Sequence, residues 1–282
     1  MKPAPFAYAK ARSVEDAVRL LGEHGEGARL LAGGQSLMAT LNMRLSQPSI
    51  LIDLNGISGL DAITLKDGVV EIGAMARHAT VMASDIIAKH APLIAMAMPH
   101  IGHPAIRNRG TIGGSVAFAD PAAELPACFL ALGGEAEIVG PAGKRIIKAD
   151  EFFKALYETA VGADDMLTAI RVPAANAQMR YGFAELSRRH GDYAIAGLAA
   201  SARAEGAALN DVQLAYFGVD LTPVRAKGAE AALAKGNIDD AVNALASDLD
   251  PPDDIQETGA VKKHLAGVLL RRVAAQMTGA RA

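Results

Sequence analysis

What most constrains this chain is a pair of glycine-rich segments: LLAGGQS at 30–36, at the end of an apolar run, and RGTIGGS at 109–115. Adjacent glycines let a backbone take positive φ and approach a ligand closely, turning successive N–H groups toward one anion. Neither segment reads GxGxxG, so a Rossmann fingerprint is missing. Neither reads GxxxxGK[ST], and no lysine follows to reach a γ-phosphate, which argues against a P-loop. Two readings remain. The segments are either anion nests without a fixed cation, suited to a diphosphate that is not hydrolysed, or ordinary tight turns.

Between them, residues 100–103 spell HIGH, the adenylate-binding signature of class I aminoacyl-tRNA synthetases. That signature needs a preceding Rossmann strand and a later lysine-rich KMSKS loop, and no such loop occurs. A net charge of −3, with Lys and Arg spread along the chain, leaves no basic footprint for nucleic acid. His100 and His103 stand at i and i+3 with no third metal ligand at a sensible spacing. They are assigned to a helix end and the loop after it.

The elements around the glycines follow from pattern. Ser13 caps a helix carrying Val14, Ala17, Val18 and Leu21 at helical spacing, and strands at 28–31 and 50–54 give β-α-β order. A strand at 69–74, a helix capped by Thr80 and a helix opened by Pro92 come next. Asp120 and Pro121 read as N-cap and first residue of a helix at 121–132, and 134–147 reads as a hairpin turning at Pro141, Ala142 and Gly143. After a strand at 166–173 the polar PAANAQ marks a boundary. Strands near 179–187, 194–204 and 211–219 then precede helices only, the last with a stripe of Val261, Leu265, Val268, Leu269 and Val273.

Half the residues are hydrophobic but only 4% are aromatic and none is Trp, which suits an aliphatic α/β or α+β core. Apolar runs such as 93–98 are too short to cross a bilayer, and the N-terminal residues have no apolar signal region, so a cytoplasmic location is expected. The single cysteine, Cys128, reads as a buried small hydrophobe. One cysteine excludes an all-cysteine iron–sulfur cluster or structural zinc site within this chain.

Three stretches, LLAGGQSLMATLNMRLSQPSILIDL, IGHPAIRNRGTIGGSVAFADPAAELP and FAELSRRHGDYAIAG, together resemble the FAD-binding medium subunits of the molybdenum hydroxylases. That family includes carbon monoxide, nicotine and aldehyde dehydrogenases and xanthine dehydrogenase relatives, and the likeness runs the length of the chain. It implies an α+β fold: a two-subdomain FAD-binding domain of the vanillyl-alcohol-oxidase (PCMH) type at 1–175, divided near 55. A C-terminal flavoprotein domain with a small antiparallel sheet would follow at 176–282.

The resemblance also implies non-covalent FAD, its diphosphate gripped by backbone amides of Ala32, Gly33, Gly34, Gln35 and Ser36 and of Thr111, Ile112, Gly113, Gly114 and Ser115. Ser36, Thr111 and Ser115 can add hydroxyls. By the same comparison Ile101 and Gly102 lie near the adenine, and Asp120 and Glu124 near the ribose. Tyr193 stands beside one flavin face, and Leu167 is a candidate for the other. Many relatives carry lysine near Glu185, so its role stays open. Arg188 and Arg189 could bring positive charge toward the flavin or pair at the surface.

The implied partners are a large molybdopterin-binding subunit, which oxidises substrate, and a small subunit with two [2Fe–2S] clusters, usually as a dimer of heterotrimers. This chain would take electrons at FAD and pass them to NAD⁺, a quinone or another acceptor. The alternatives are a free-standing FAD-dependent reductase or oxidase of the same fold, or a scaffold subunit that has lost FAD.

Overall fold

In the computed structural model, which describes residues 2–206 and 208–279, the chain begins with three short strands in parallel register. β1 (Ala7–Lys10) and β2 (Ala28–Leu31) flank β3 (Ile50–Asp53), so that Ala7 and Ala28 both lie opposite Ile50. Parallel neighbours need crossovers, and α1 (Val14–His24) and α2 (Leu37–Asn42) supply them. α1 starts as expected, with the Ser13 hydroxyl accepting the Asp16 amide, and buries Ala17, Val18 and Leu21.

The next sheet is antiparallel, in the order β4-β5-β10-β6-β7, with β4 (Ile63–Lys66), β5 (Val69–Gly73), β6 (Glu135–Gly140), β7 (Gly143–Lys148) and β10 (Met166–Pro173). β8 (Phe153–Ala155) and β9 (Glu158–Thr159) form a small pair beside it. Between β5 and β6 the chain leaves the sheet for short helices: α3 (His78–Ala83), α4 (Asp85–His90), α5 (Pro92–Ala97), α6 (Pro104–Arg107), α7 (Ile112–Phe118) and α8 (Glu124–Ala131). Pro92 opens α5 as expected. Thr80 does not cap: it lies inside α3, whose N-cap position is Arg77. Asp120 does not cap a helix at 121 either. Ala119 takes a left-handed conformation, the Asp120 carboxylate accepts the Ala122 amide in a tight turn, and α8 starts only at Glu124.

The third sheet, β11 (Met179–Ser187), β12 (Ala194–Glu205), β13 (Ala208–Phe217) and β14 (Val224–Arg225), is antiparallel throughout. The helices α9 (Lys227–Ala234), α10 (Ile238–Asp248) and α11 (Gly259–Thr278) follow it, so strands do precede helices. The α11 stripe is rotated from the expected one. Lys262, Ala266, Leu269, Leu270, Val273 and Met277 face inward, whereas Val261 is exposed. The rotation places a lysine inside, and its ammonium is satisfied by Asp254 at 2.7 Å.

This third sheet is covered on both faces. Leu198, Ala200, Leu214 and Tyr216 join Leu269 and Val273 of α11 in one core. Phe183, Ala199, Ala215 and Phe217 join Val70, Ile112, Cys128 and Ile170 in the other, so the larger core runs across the expected boundary near 175. Cys128 is fully buried, as expected. Among the described residues no helix is long and apolar enough to cross a membrane.

Candidate functional site

AGGQS occupies the turn between β2 and α2. Gly34 has φ +74°, a left-handed conformation that a Cβ would strain, and the Gln35 side chain donates to the Gly33 carbonyl at 3.1 Å to brace the turn. Among the described residues the amides of Gly33, Gly34, Gln35 and Ser36 have no hydrogen-bond acceptor. Four consecutive unspent donors at the start of a helix form a ready seat for an anion.

TIGGS is built differently. Thr111 is the N-cap of α7, its hydroxyl oxygen accepting the Gly114 amide at 3.1 Å. The Ile112 amide donates to Ala76 and the Gly113 amide to Ala74, at 3.0 and 2.9 Å, and the Ser115 amide donates to Thr111. These glycines serve close packing rather than positive φ: a Cβ on Gly113 would overlap Ala74, and one on Gly114 would lie 2.7 Å from the Thr111 hydroxyl. The two glycine segments thus differ in how their amides are used. One nest faces one capped helix start, and within 111–115 only the Thr111 amide is unspent among the described residues.

The two segments meet. Gly33 sits so close that a Cβ there would overlap the Arg109 carbonyl and lie 2.9 Å from the Gly110 Cα, while Gly114 faces Ala32 at 3.7 Å by the same measure. Beneath Gly110 lies His78, 5% exposed, its ring nitrogens without partners among the described residues. Burial, reinforced by Arg107 and Arg77, pushes its pKa down to about 4 and keeps the imidazole neutral. Sequence reading passed over His78, and also Asn55 and Arg77, which bridge the two segments.

The acidic residues gather at the far end of α7. Glu124, the first residue of α8, is 8% exposed, and burial followed by the nearby Glu185 carboxylate raises its pKa to about 8. Burial raises Asp120 as well. Glu185 comes from β11 and sets Oε1 3.2 Å from Nδ1 of His100, which raises the His100 pKa; its Oε2 is buried without a partner among the described residues. HIGH is thus a seam between the helices that follow β5 and the C-terminal sheet. The His100 ring lies 5.0 Å from Phe183, and Gly191 packs so tightly on the Gly102 carbonyl that no Cβ would fit. Ile101 is buried, Gly102 has φ +52°, and Arg107 donates to both of their carbonyls at 2.9 and 3.0 Å.

Tyr193 is 56% exposed just before β12, and partial burial followed by the Asp120 carboxylate and Tyr157 pushes its phenol up to about 12. Tyr157, also exposed, sets its ring 5.0 Å from that of Phe118, the last residue of α7, tilted by 50°. Leu167 lies elsewhere. It is 5% exposed in the core with Ile112 and Val116, on the strand whose Thr168 carbonyl accepts the Ala74 amide behind Gly113. The structure therefore joins 32–36 to 109–115, gathers Asp120, Glu124 and Tyr193 at one end, and keeps Leu167 in the interior.

Residues 4–175 match the family model described as the FAD binding domain in molybdopterin dehydrogenase, and residues 181–277 match the CO dehydrogenase flavoprotein C-terminal domain. The nicotine 6-hydroxylase medium subunit of Paenarthrobacter nicotinovorans is 38% identical over 252 residues, 83% of this chain and 88% of that one. The carbon monoxide dehydrogenase medium chain of Afipia carboxidovorans is 36% identical over 277 residues, 96% of each. The solved carbon monoxide dehydrogenase from Hydrogenophaga pseudoflava superposes with a TM-score of 0.96 at 36% identity, covering 100% of both chains.

Proposed function

The chain belongs to the family of FAD-binding medium subunits of molybdenum hydroxylase complexes, and from that premise we propose that it is the electron-transfer subunit of such a complex. It takes electrons from [2Fe–2S] clusters of a small partner and passes them to an external acceptor, while a large molybdopterin subunit oxidises the organic substrate. The assembly we infer is a dimer of heterotrimers. FAD supplies, when bound, a carrier that accepts electrons singly and releases them in pairs.

The observation that carries the reading is the row of unspent amides from Gly33 to Ser36, set against Gly110 and Thr111. These donors fit a diphosphate: charge-assisted hydrogen bonds are about twice as strong as neutral ones. The Thr111 amide and the hydroxyls of Ser36, Thr111 and Ser115 extend the grip. Ile101 and Gly102 line the adenine side, and Asp120 and Glu124 the ribose side, where a Glu124 carboxyl with a pKa of about 8 keeps its proton near neutral pH and can donate as well as accept. The exposed Tyr193 covers one flavin face. Leu167, packed with Ile112 in the core, is the candidate for the other face.

The test begins with acid precipitation of the purified chain, which is expected to release FAD into a yellow supernatant. Flavin retained in the pellet would overturn non-covalent binding, and its absence from every fraction would overturn the cofactor. With its flavin chemically reduced, the isolated chain is expected to pass electrons to a quinone or dye. Turnover of an organic substrate by the isolated chain would instead favour a free-standing flavoenzyme.

A further inference from the structure

A short run of side-chain contacts ties the two glycine segments together. Asn55, two residues beyond β3, donates through Nδ2 to the Ala32 carbonyl at 3.0 Å. Its Oδ1 accepts from one terminal nitrogen of Arg77, and the other terminal nitrogen of the same guanidinium donates to the Arg109 carbonyl, directly before Gly110. Asn55 is itself fixed from behind: its amide and Nδ2 donate to Asp53 Oδ1 at 2.8 and 2.5 Å, and Asp53 Oδ2 accepts the Tyr8 hydroxyl at 2.6 Å.

The geometry matters because Ala32 and Arg109 hang from different sheets. The first follows β2 of the parallel sheet, and the second lies among helices that pack on the antiparallel one. Nothing in either segment's own hydrogen bonding fixes their separation. A guanidinium is planar and presents its two terminal nitrogens at a fixed spacing, so it acts as a spacer between the Asn55 oxygen and the Arg109 carbonyl. Both carbonyls it governs, one directly and one through Asn55, begin the stretches that carry the unspent amides.

We propose that Asn55 and Arg77 are positioning residues that set the distance between the AGGQS amides and the start of α7, and thereby the affinity for the diphosphate of FAD. The proposal rests on the reading of the glycine segments given under Proposed function. Neither side chain needs to touch the ligand. The clamp acts from behind the amides, through oxygen atoms of the same backbone.

The test uses the whole chain stripped of flavin, with three probes: FAD, ADP (a diphosphate without flavin) and riboflavin (a flavin without diphosphate). Each is titrated into the wild type, Asn55→Ala, Arg77→Gln, Arg77→Lys and the double variant Asn55→Ala with Arg77→Gln, alongside the thermal midpoint of each apoprotein. Losing one such contact is expected to weaken FAD and ADP about tenfold in each single variant, with the apoprotein midpoint close to wild type and riboflavin binding unmoved. The double variant should be no weaker than the weaker single one, because both changes break the same bridge. Arg77→Lys keeps the charge but not the fork, so it should stay weak, and it carries the test alone where the others do not fold.

Unchanged FAD and ADP affinity in Asn55→Ala, or full recovery in Arg77→Lys, overturns the clamp while leaving the site reading intact, since Arg77 would then act by charge. A wild-type chain that binds neither FAD nor ADP overturns the site reading and the clamp with it.

Discussion

Nδ1 of His100 lies 3.2 Å from Oε1 of Glu185, and this contact joins the loop after α5 to the first strand of the C-terminal sheet. The second Glu185 oxygen is buried without a partner among the described residues, and Glu124 adds a further carboxyl close by. Burial favours a proton retained on Glu124, and the contact with Glu185 favours the protonated form of His100.

The seam makes stability depend on pH in one direction. The pKa of His100 is raised by Glu185, so its contribution is complete below its ordinary value near 6.5 and is lost as pH rises through the raised one. Glu124 is raised from 4.5 to about 8, so the unfolded chain releases a proton that the folded chain keeps, and stability falls progressively across that interval. A gap of that size corresponds to at most ~5 kcal/mol. Urea unfolding of the apoprotein is expected to show lower stability at pH 8 than at pH 5. Glu124→Gln should flatten the profile and exceed wild type at pH 8, whereas a variant profile parallel to wild type would remove Glu124 as its cause.

Two glycines separate packing from ligand contact. Gly113→Ala forces a Cβ into Ala74 and should destabilise the fold by ~1–3 kcal/mol, the usual range for overpacking. Gly34→Ala strains a left-handed residue by about 1–2 kcal/mol and also tilts the unspent amides on either side. The FAD dissociation constant should therefore worsen more in Gly34→Ala than in Gly113→Ala, even where the latter is the less stable protein. The opposite ranking would mean that the cofactor is held by α7 and not by AGGQS.

Removing an exposed ring tests the flavin side. Tyr193 is more than half exposed, so Tyr193→Ala should change stability by no more than ~0.5 kcal/mol. Stopped-flow traces of the assembled complex should show altered re-oxidation of the flavin, with substrate-driven reduction of the molybdenum centre unchanged. A change confined to the molybdenum step would place Tyr193 away from the flavin.

Much of the fold is legible in the sequence where a run is apolar and sharply bounded. β10 and β11 occupy 166–173 and 179–187 as read, and the Ser13 cap and the Pro92 helix start hold. The reading fails where a local signal has two outlets. Asp120 before Pro121 looks like a helix cap but closes a turn after the left-handed Ala119. Lys262 looks like the outer face of α11 and is buried on Asp254. At the site, the glycines announce themselves, but their division of labour does not, because Gly113 and Gly114 are required by neighbours such as Ala74 that pattern alone does not reveal. Arg77 meets Asn55 across 22 residues and the Arg109 carbonyl across 32, separations at which no periodicity reports a contact.

Along β12 and β13 alternate side chains feed two different cores: Leu198, Ala200 and Tyr216 turn to the terminal helices, and Ala199, Ala215 and Phe217 to the FAD-side helices. The C-terminal segment is consequently not an interchangeable module. Recombination between relatives that replaced 176–282 alone would import a sheet whose hidden face was shaped against another protein's α5 and α8. Such a chimera would pack only if the incoming residues at 183, 199 and 217 matched the volumes of Phe183, Ala199 and Phe217. The two halves of this chain are therefore expected to have been inherited together.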